Sequence, residues 1–371
     1  MNRMTVSLFA GVMVAGMVGN AAAQEQTIRL SNNAVRDVQL RGRIQAQAGY
    51  ADIKNDEGSS DFSTMELRRV RLGMRGTLFD NVRAQLEANL VPGSSLSMRT
   101  AFLEWREHRP AYVKLGLDKP RFGFEENTSS AEILTVERTL IGNTLVPGTM
   151  NGLSLSGSQG IVSYSAGVYT GGANRNADGN DDYMFNASAQ LNLDDMVGNA
   201  RLRIRADYIN NDDDGGNFSY DDGMAASLHF AMNGFDLRGE YMTASRGSDD
   251  TSGFYVMPSY YLTENIQAVA RVEITESDNA KGLSAPSRYA RRVDTMAARE
   301  ALVDAATGET LSAAVNPQRG DDYKAAYIGL NYYFSGHAHK LMTGIEVAEL
   351  DNTDAGKLEM TTAYAAWRML F

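Results

Sequence analysis

Arg201, Arg203 and Arg205 alternate with Leu202 and Ile204, and Arg69, Arg71 and Arg75 alternate in the same way with Val70, Leu72 and Met74. Near the start of the chain Arg41, Arg43 and Gln45 oppose Leu40, Ile44 and Ala46, and Arg238 and Arg271 hold matching positions in later segments. A guanidinium is a fixed fork of donors that stays charged and fits carboxylate and phosphate oxygens. Alternate residues of an extended strand share a face and stand roughly 6.5–7 Å apart. Three such arginines therefore make a row of oxyanion sites. Each must hold an anion well enough to strip its water and weakly enough to release it.

The elements that position these rows are strands. A period of two with one apolar face marks a half-buried strand. If the apolar faces meet lipid, an arginine on that side near mid-membrane costs about 2–4 kcal/mol, so the arginines are expected to face a lumen. The last segment fits: Phe371, Met369, Trp367, Ala365 and Ala363 share one face, and Arg368, Ala366, Tyr364 and Thr362 the other. Such an aromatic-ended strand is the usual finish of an outer-membrane barrel. Residues 1–23 combine Arg3, an apolar run from Val6 to Val18 and Ala21-Ala22-Ala23, as expected of a signal peptide. Residues 24–371 are then expected to form one barrel domain. No later stretch reaches the length of about 20 apolar residues that a helical span needs.

Composition narrows the class. The chain has no cysteine, 35 glycines, 7 prolines and 17 tyrosines. Disulfides and thiolate metal sites are excluded, no metal or cofactor is expected, and tight turns with interfacial aromatics are accommodated. The net charge of −11 would suggest cationic partners, but the acids gather between strands, at Lys54 to Asp61, Asn174 to Asp182 and Asn211 to Asp222. These segments are either solvated loops or contacts for cations. The pattern predicts an all-β, closed antiparallel transmembrane barrel of about 16 strands, at roughly 38–51, 66–79, 81–92, 97–107, 111–118, 151–158, 161–171, 183–192, 200–210, 219–231, 235–246, 252–262, 265–275, 322–334, 340–350 and 357–371. Short and long connections alternate strictly, which puts both ends of the barrel chain on the periplasmic side.

The third long connection, from 118 to about 150, is expected to fold inward and narrow the pore. Lys119, Arg121, Glu125 and Arg138 would then be constriction charges; the alternative is an external loop whose ion pairs hold its shape. A seventh long loop, about 276–321, carries Lys281, Arg288, Arg291, Arg292 and Arg299, and 291–306 reads as a short helix.

At this point the chain resembles the phosphate- and pyrophosphate-selective porins, the porin O and porin P family. Tyr112 to Phe122, with Gly116, Lys119, Pro120 and Phe122, looks like that family's strand ending in Gly-x-x-Lys-Pro-x-Phe. Glu126-Asn127-Thr128-Ser129-Ser130 followed by Glu137-Arg138-Thr139-Leu140 is similar to its loop signature. Arg68-Arg69 before Val70-Arg71 matches its paired arginines, and Arg201, Arg203 and Arg205 look like its arginine ladder. The resemblance implies a trimeric 16-stranded barrel in the outer membrane of a Gram-negative bacterium, with a basic pore for phosphate or polyphosphate. Asp118 departs from the apolar residue usual beside the lysine, and the family's lysine-rich vestibule has no clear counterpart.

The expected activity is passive, anion-preferring diffusion of inorganic phosphate or other small anions. General diffusion porins also line their lumen with arginines, here opposed by Glu87, Asp207, Glu240 and Glu273, so a porin without phosphate selectivity is the alternative. An outer-membrane hydrolase would need a nucleophile beside a base. His229 has only Ser227, two residues away, and no Gly-x-Ser-x-Gly elbow occurs. An adhesin using the acidic loops is a further alternative. Outer-membrane lipid and a second and third copy are the expected partners, and no nucleic-acid module is found.

Overall fold

The computed structural model describes residues 27–29, 34–55, 58–91, 93, 95–108, 110–172, 183–211, 218–279, 282–285, 302–303, 310–312, 319–352 and 356–371. Sixteen strands form one antiparallel barrel: β1 Val35–Asn55, β2 Gly58–Leu78, β3 Val82–Asn89, β4 Ser97–His108, β5 Ala111–Asp118, β6 Met150–Gln159, β7 Val162–Gly172, β8 Tyr183–Asn192, β9 Arg201–Asn211, β10 Asp222–Met232, β11 Phe235–Arg246, β12 Asp249–Tyr261, β13 Ile266–Ser277, β14 Asp322–Ser335, β15 His339–Asn352 and β16 Gly356–Leu370. Each pairs with its sequence neighbours, and β16 pairs back onto β1 from Arg43↔Leu370 to Lys54↔Glu359, which closes the sheet. Thr27–Arg29 adds a short strand against the start of β1.

Closure ends on a tight fit. The Gly42 N–H donates to the Phe371 carbonyl at 2.6 Å, and the Phe371 N–H returns to the Gly42 carbonyl at 3.1 Å. A Cβ on Gly42 would stand 2.2 Å from the Phe371 ring, so only glycine admits that ring.

The alternation divides every strand. On β9, Leu202, Ile204 and Tyr208 turn outward, while Arg205, Asp207 and Ile209 are buried inside. The expected strict alternation of long and short connections is corrected in three places, one of them between β15 and β16, where Asn352 already pairs with Gly356. Lys54 to Asp61 is no long loop: β1 runs to Asn55 and β2 resumes at Gly58. The pleat continues through it because Ile53 and Phe62 still have an inner face to pack on. β11 and β12 likewise meet across only Gly247 and Ser248. The signal segment, Asn174 to Asp182, the Asp212-Asp213-Asp214 run, Lys281, Arg288, Arg291, Arg292, Arg299 and most of the 291–306 segment lie outside the described residues.

The third connection, 119–149, does fold inward. Two four-residue helices stabilise it, α1 Phe124–Asn127 and α2 Ile141–Thr144. Its apolar side chains make two cores inside the barrel. Phe122, Leu134, Ile141 and Leu145 pack on Ile209, Met242 and Tyr255; Val136 and Leu140 pack on Tyr323, Met342 and Met360. Fully burying a side chain of this size stabilises by about 1.5–3 kcal/mol, so the loop has ample reason to leave the solvent.

Candidate functional site

The wall holds the third loop chiefly by its main chain. Arg368 donates to the carbonyls of Ser130 at 3.0 Å and Val136 at 2.6 Å, Lys340 to Ile133 at 2.8 Å, Asn331 to Leu134 at 2.9 Å and Arg271 to Glu137 at 3.0 Å. Carboxylates take the amides: Asp207 accepts from Gly123 at 3.0 Å, Glu240 from Phe124 and from Glu125 at 3.1 Å, and Glu273 from Leu140 at 2.8 Å. Glu240 and Glu273 thereby satisfy amides that open α1 and α2, where a negative charge is favoured. These anchors come from β9, β11 and β13–β16, with further tethers from Gln45 and Gln47 of β1, Arg68 of β2 and Asn186 of β8, and the loop leaves a cavity open beside it.

That cavity measures about 610 Å³. Nine basic side chains line it, Arg41, Arg43, Arg71, Arg99, Lys114, Lys119, Arg121, Arg138 and Arg205, against four acidic ones, Glu87, Asp118, Glu126 and Glu132. The chain is acidic overall, yet this cavity is basic. Arg71 donates to Asn89 at 2.9 Å and Arg43 to Ser129 at 3.2 Å and to Ser130. The Arg205 Nε donates to Asp207 at 2.7 Å, while its Nη2, and the Nε of Arg43, find no hydrogen-bond partner in the protein. Lys119 pairs with Glu126, and Arg138 holds the carbonyls of Glu125 at 3.1 Å and Thr128 at 2.8 Å.

The residues grouped by sequence are not one ladder. Arg41, Arg43, Arg71 and Arg205 reach the cavity. Arg75 turns to Gln39 at 2.6 Å in a second inner cavity, which Arg83 and Arg106 share. Arg201 is exposed where β9 begins, and Arg203 is clasped by Asp194 of the preceding turn at 3.0 Å. Arg238 is bound to Asp236 at 2.8 Å, and Arg69 is buried against Gln45 at 3.0 Å. Arg271 is corrected from a pore-lining residue to a buried clamp beneath the loop. It is 2% exposed and bonded to Glu346 at 2.7 Å and to Thr135 at 3.2 Å. Glu125 is likewise no constriction charge. Its Oε2 is taken inside the loop by the Thr139 amide at 2.9 Å and hydroxyl at 2.6 Å.

Two basic residues that alternation turns outward face inward instead. The β1–β2 register skips Arg68 between Gln45↔Arg69 and Ala46↔Leu67, and the β3–β4 register skips Arg99 between Glu87↔Thr100 and Ala88↔Met98. Each is a bulge, which re-aims a side chain. Arg68 reaches Glu137 of the loop, and Arg99 reaches Thr149 at 3.4 Å and Glu126 at 3.9 Å. The signal for both was an arginine on the wrong phase of an otherwise regular strand. His229 is engaged with Asp236 at 2.8 Å and lies against the Phe124 ring.

A family profile described as phosphate-selective porin O and P matches residues 38–371. A comparison with curated proteins finds no match. Similar solved structures include the outer membrane channel DcaP of Acinetobacter baumannii, 13% identical over 93% of this chain and 99% of that one, with a TM-score of 0.57. An anion-selective porin from Comamonas acidovorans is 12% identical over 90% and 99%, at 0.59. OmpT of Vibrio cholerae in its trimer form is 11% identical over 90% and 99%, at 0.53. At these identities the likeness establishes the fold.

Proposed function

The chain belongs to the phosphate-selective porin O and P family, and from that premise we propose a passive channel of the Gram-negative outer membrane that prefers anions and takes phosphate-type oxyanions best. The observation that carries this is the lining beside the inward loop, where nine basic side chains stand against four acidic ones. An oxyanion entering there gains forked donors in place of water. A tenfold preference between ions needs only about 1.4 kcal/mol. Two unit charges 4 Å apart interact by about 4 kcal/mol at an effective dielectric near 20, so the excess suffices even after the four acids are set against it.

Localisation and assembly follow from the same premise. Outward Leu, Ile, Tyr and Phe side chains would meet outer-membrane lipid, and both barrel ends would lie on the periplasmic side. Homotrimerisation is supported by the OmpT trimer form, whose fold this chain shares; a monomer in native-mass measurement of detergent-extracted protein would overturn it. The test of selectivity is the reversal potential in planar bilayers with phosphate, chloride and potassium gradients. Anion preference with phosphate block of the chloride current supports the reading. Anion preference without that block favours a general diffusion porin, a reading to which Glu87, Asp118, Glu126 and Glu132 on the same lining lend weight. Potassium preference overturns it.

A further inference from the structure

The cavity has two unlike walls. β1–β5, the loop and Arg205 of β9 supply its charges, whereas β6, β7 and β8 contain no charged residue in any position. Their inner faces carry Ser154, Ser156, Ser165, Asn186, Ser188 and Gln190 instead. Ser154, Ser156, Ser165 and Gln190 line the same cavity as Arg43 and Arg205, with the rings of Tyr169 and Phe124 beside them.

Building on the anion-channel reading, we propose that this lumen is matched to phosphate esters of polyhydroxylated molecules, such as sugar phosphates, rather than to inorganic phosphate alone. A bare oxyanion only accepts hydrogen bonds, so the arginine wall serves it completely. Hydroxyl and amide side chains both donate and accept, which is what the hydroxyls of a polyol require and what an anion does not use. The aromatic rings offer apolar faces to C–H groups. The volume of about 610 Å³ falls within the roughly 300–1,000 Å³ of sites that take whole organic ligands. An ester lying across the lumen places its phosphate on the guanidiniums and its hydroxyls on the serines and Gln190.

The test is half-block of chloride current in planar bilayers at pH 8, where inorganic phosphate and its monoesters are both largely dianionic, a monoester's second ionisation lying near pH 6. Probes are inorganic phosphate, glucose 6-phosphate, cyclohexyl phosphate and glucose. Glucose 6-phosphate should block at a concentration about tenfold lower than inorganic phosphate, a difference of about 1.4 kcal/mol. Cyclohexyl phosphate, similar in size but without hydroxyls, should block several-fold more weakly than glucose 6-phosphate. Combining Ser154→Ala, Ser156→Ala and Ser165→Ala should bring the ratio of the two blocks toward one, and each single change should move it part of the way. Equal block by glucose 6-phosphate and inorganic phosphate overturns the proposal and leaves the anion channel standing. So does equal block by the two organic esters, which makes size the cause, and so does a ratio that survives the serine changes. Absence of any phosphate block together with potassium preference overturns this proposal and the channel reading alike.

Discussion

Arg68 donates to the Glu137 carboxylate through Nε at 2.9 Å and Nη2 at 3.3 Å, from a position that faces the lumen only because β2 bulges there. Gln47 adds a third bond to the same carboxylate at 2.8 Å. A hydrogen bond to a charged group contributes about 1.5–3 kcal/mol, and here the lower end applies because Arg68 keeps about a quarter of its side chain exposed. Arg68→Ala should loosen the loop without unfolding the barrel. Single-channel recordings should show larger, noisier conductance, and Arg68→Ala with Glu137→Gln should cost less than the two single effects combined.

The same carboxylate predicts a pH dependence. Burial raises its affinity for a proton, but the charge and hydrogen bond of Arg68 outweigh this and hold Glu137 at about 2, below its ordinary 4.5. A value depressed by folding stabilises fully above the unfolded value and is lost as pH falls through the folded one. Channel noise should therefore stay flat from pH 7 to about 4.5 and rise from there toward pH 2. Glu137→Gln should be noisy throughout and lose that step; an unchanged step in this variant would assign the transition to another group.

Selectivity should depend on which arginines are removed. Arg43→Ala with Arg205→Ala takes two guanidiniums from the cavity lining and should lower the anion-to-cation permeability ratio several-fold. Arg201→Ala with Arg203→Ala removes an exposed residue at the start of β9 and one neutralised by Asp194, and should change it far less. Reversal potentials of the two double variants, measured side by side, decide between the lining and the uninterrupted row.

Arg271→Met should be the most damaging of these changes. It strips the counter-charge from Glu273 at 3.3 Å and Glu346 at 2.7 Å, both buried. Removing one member of a buried pair costs about 3–5 kcal/mol. Folded yield in detergent should fall sharply, and Glu346→Gln in the same background should recover part of it.

Sixteen strands were legible because a period of two needs only neighbouring residues. Bulges break that rule, and an arginine out of phase was their one mark, so the inward facing of Arg68 and Arg99 went unread. The roles of Arg271 and Glu125 were illegible for another reason. An inward-facing charge reads the same whether the lumen before it is open or filled by a loop, and only the packing of 119–149 distinguishes the two. The connection at Lys54 to Asp61 was misread because acidic residues suggest solvent, whereas strands that rise beyond an apolar band can carry acids outward at no cost.

Because β9, β11 and β13–β16 grip the third loop largely by its carbonyls and amides and its apolar side chains fill the inner cores, its shape depends less on a charged pair such as Lys119 and Glu126. Replacing Lys119 and Glu126 together should leave in place the plug that carries them. The barrel thus separates the handle that holds the loop from the filter the loop carries, and single substitutions can change solute preference while the architecture stands still.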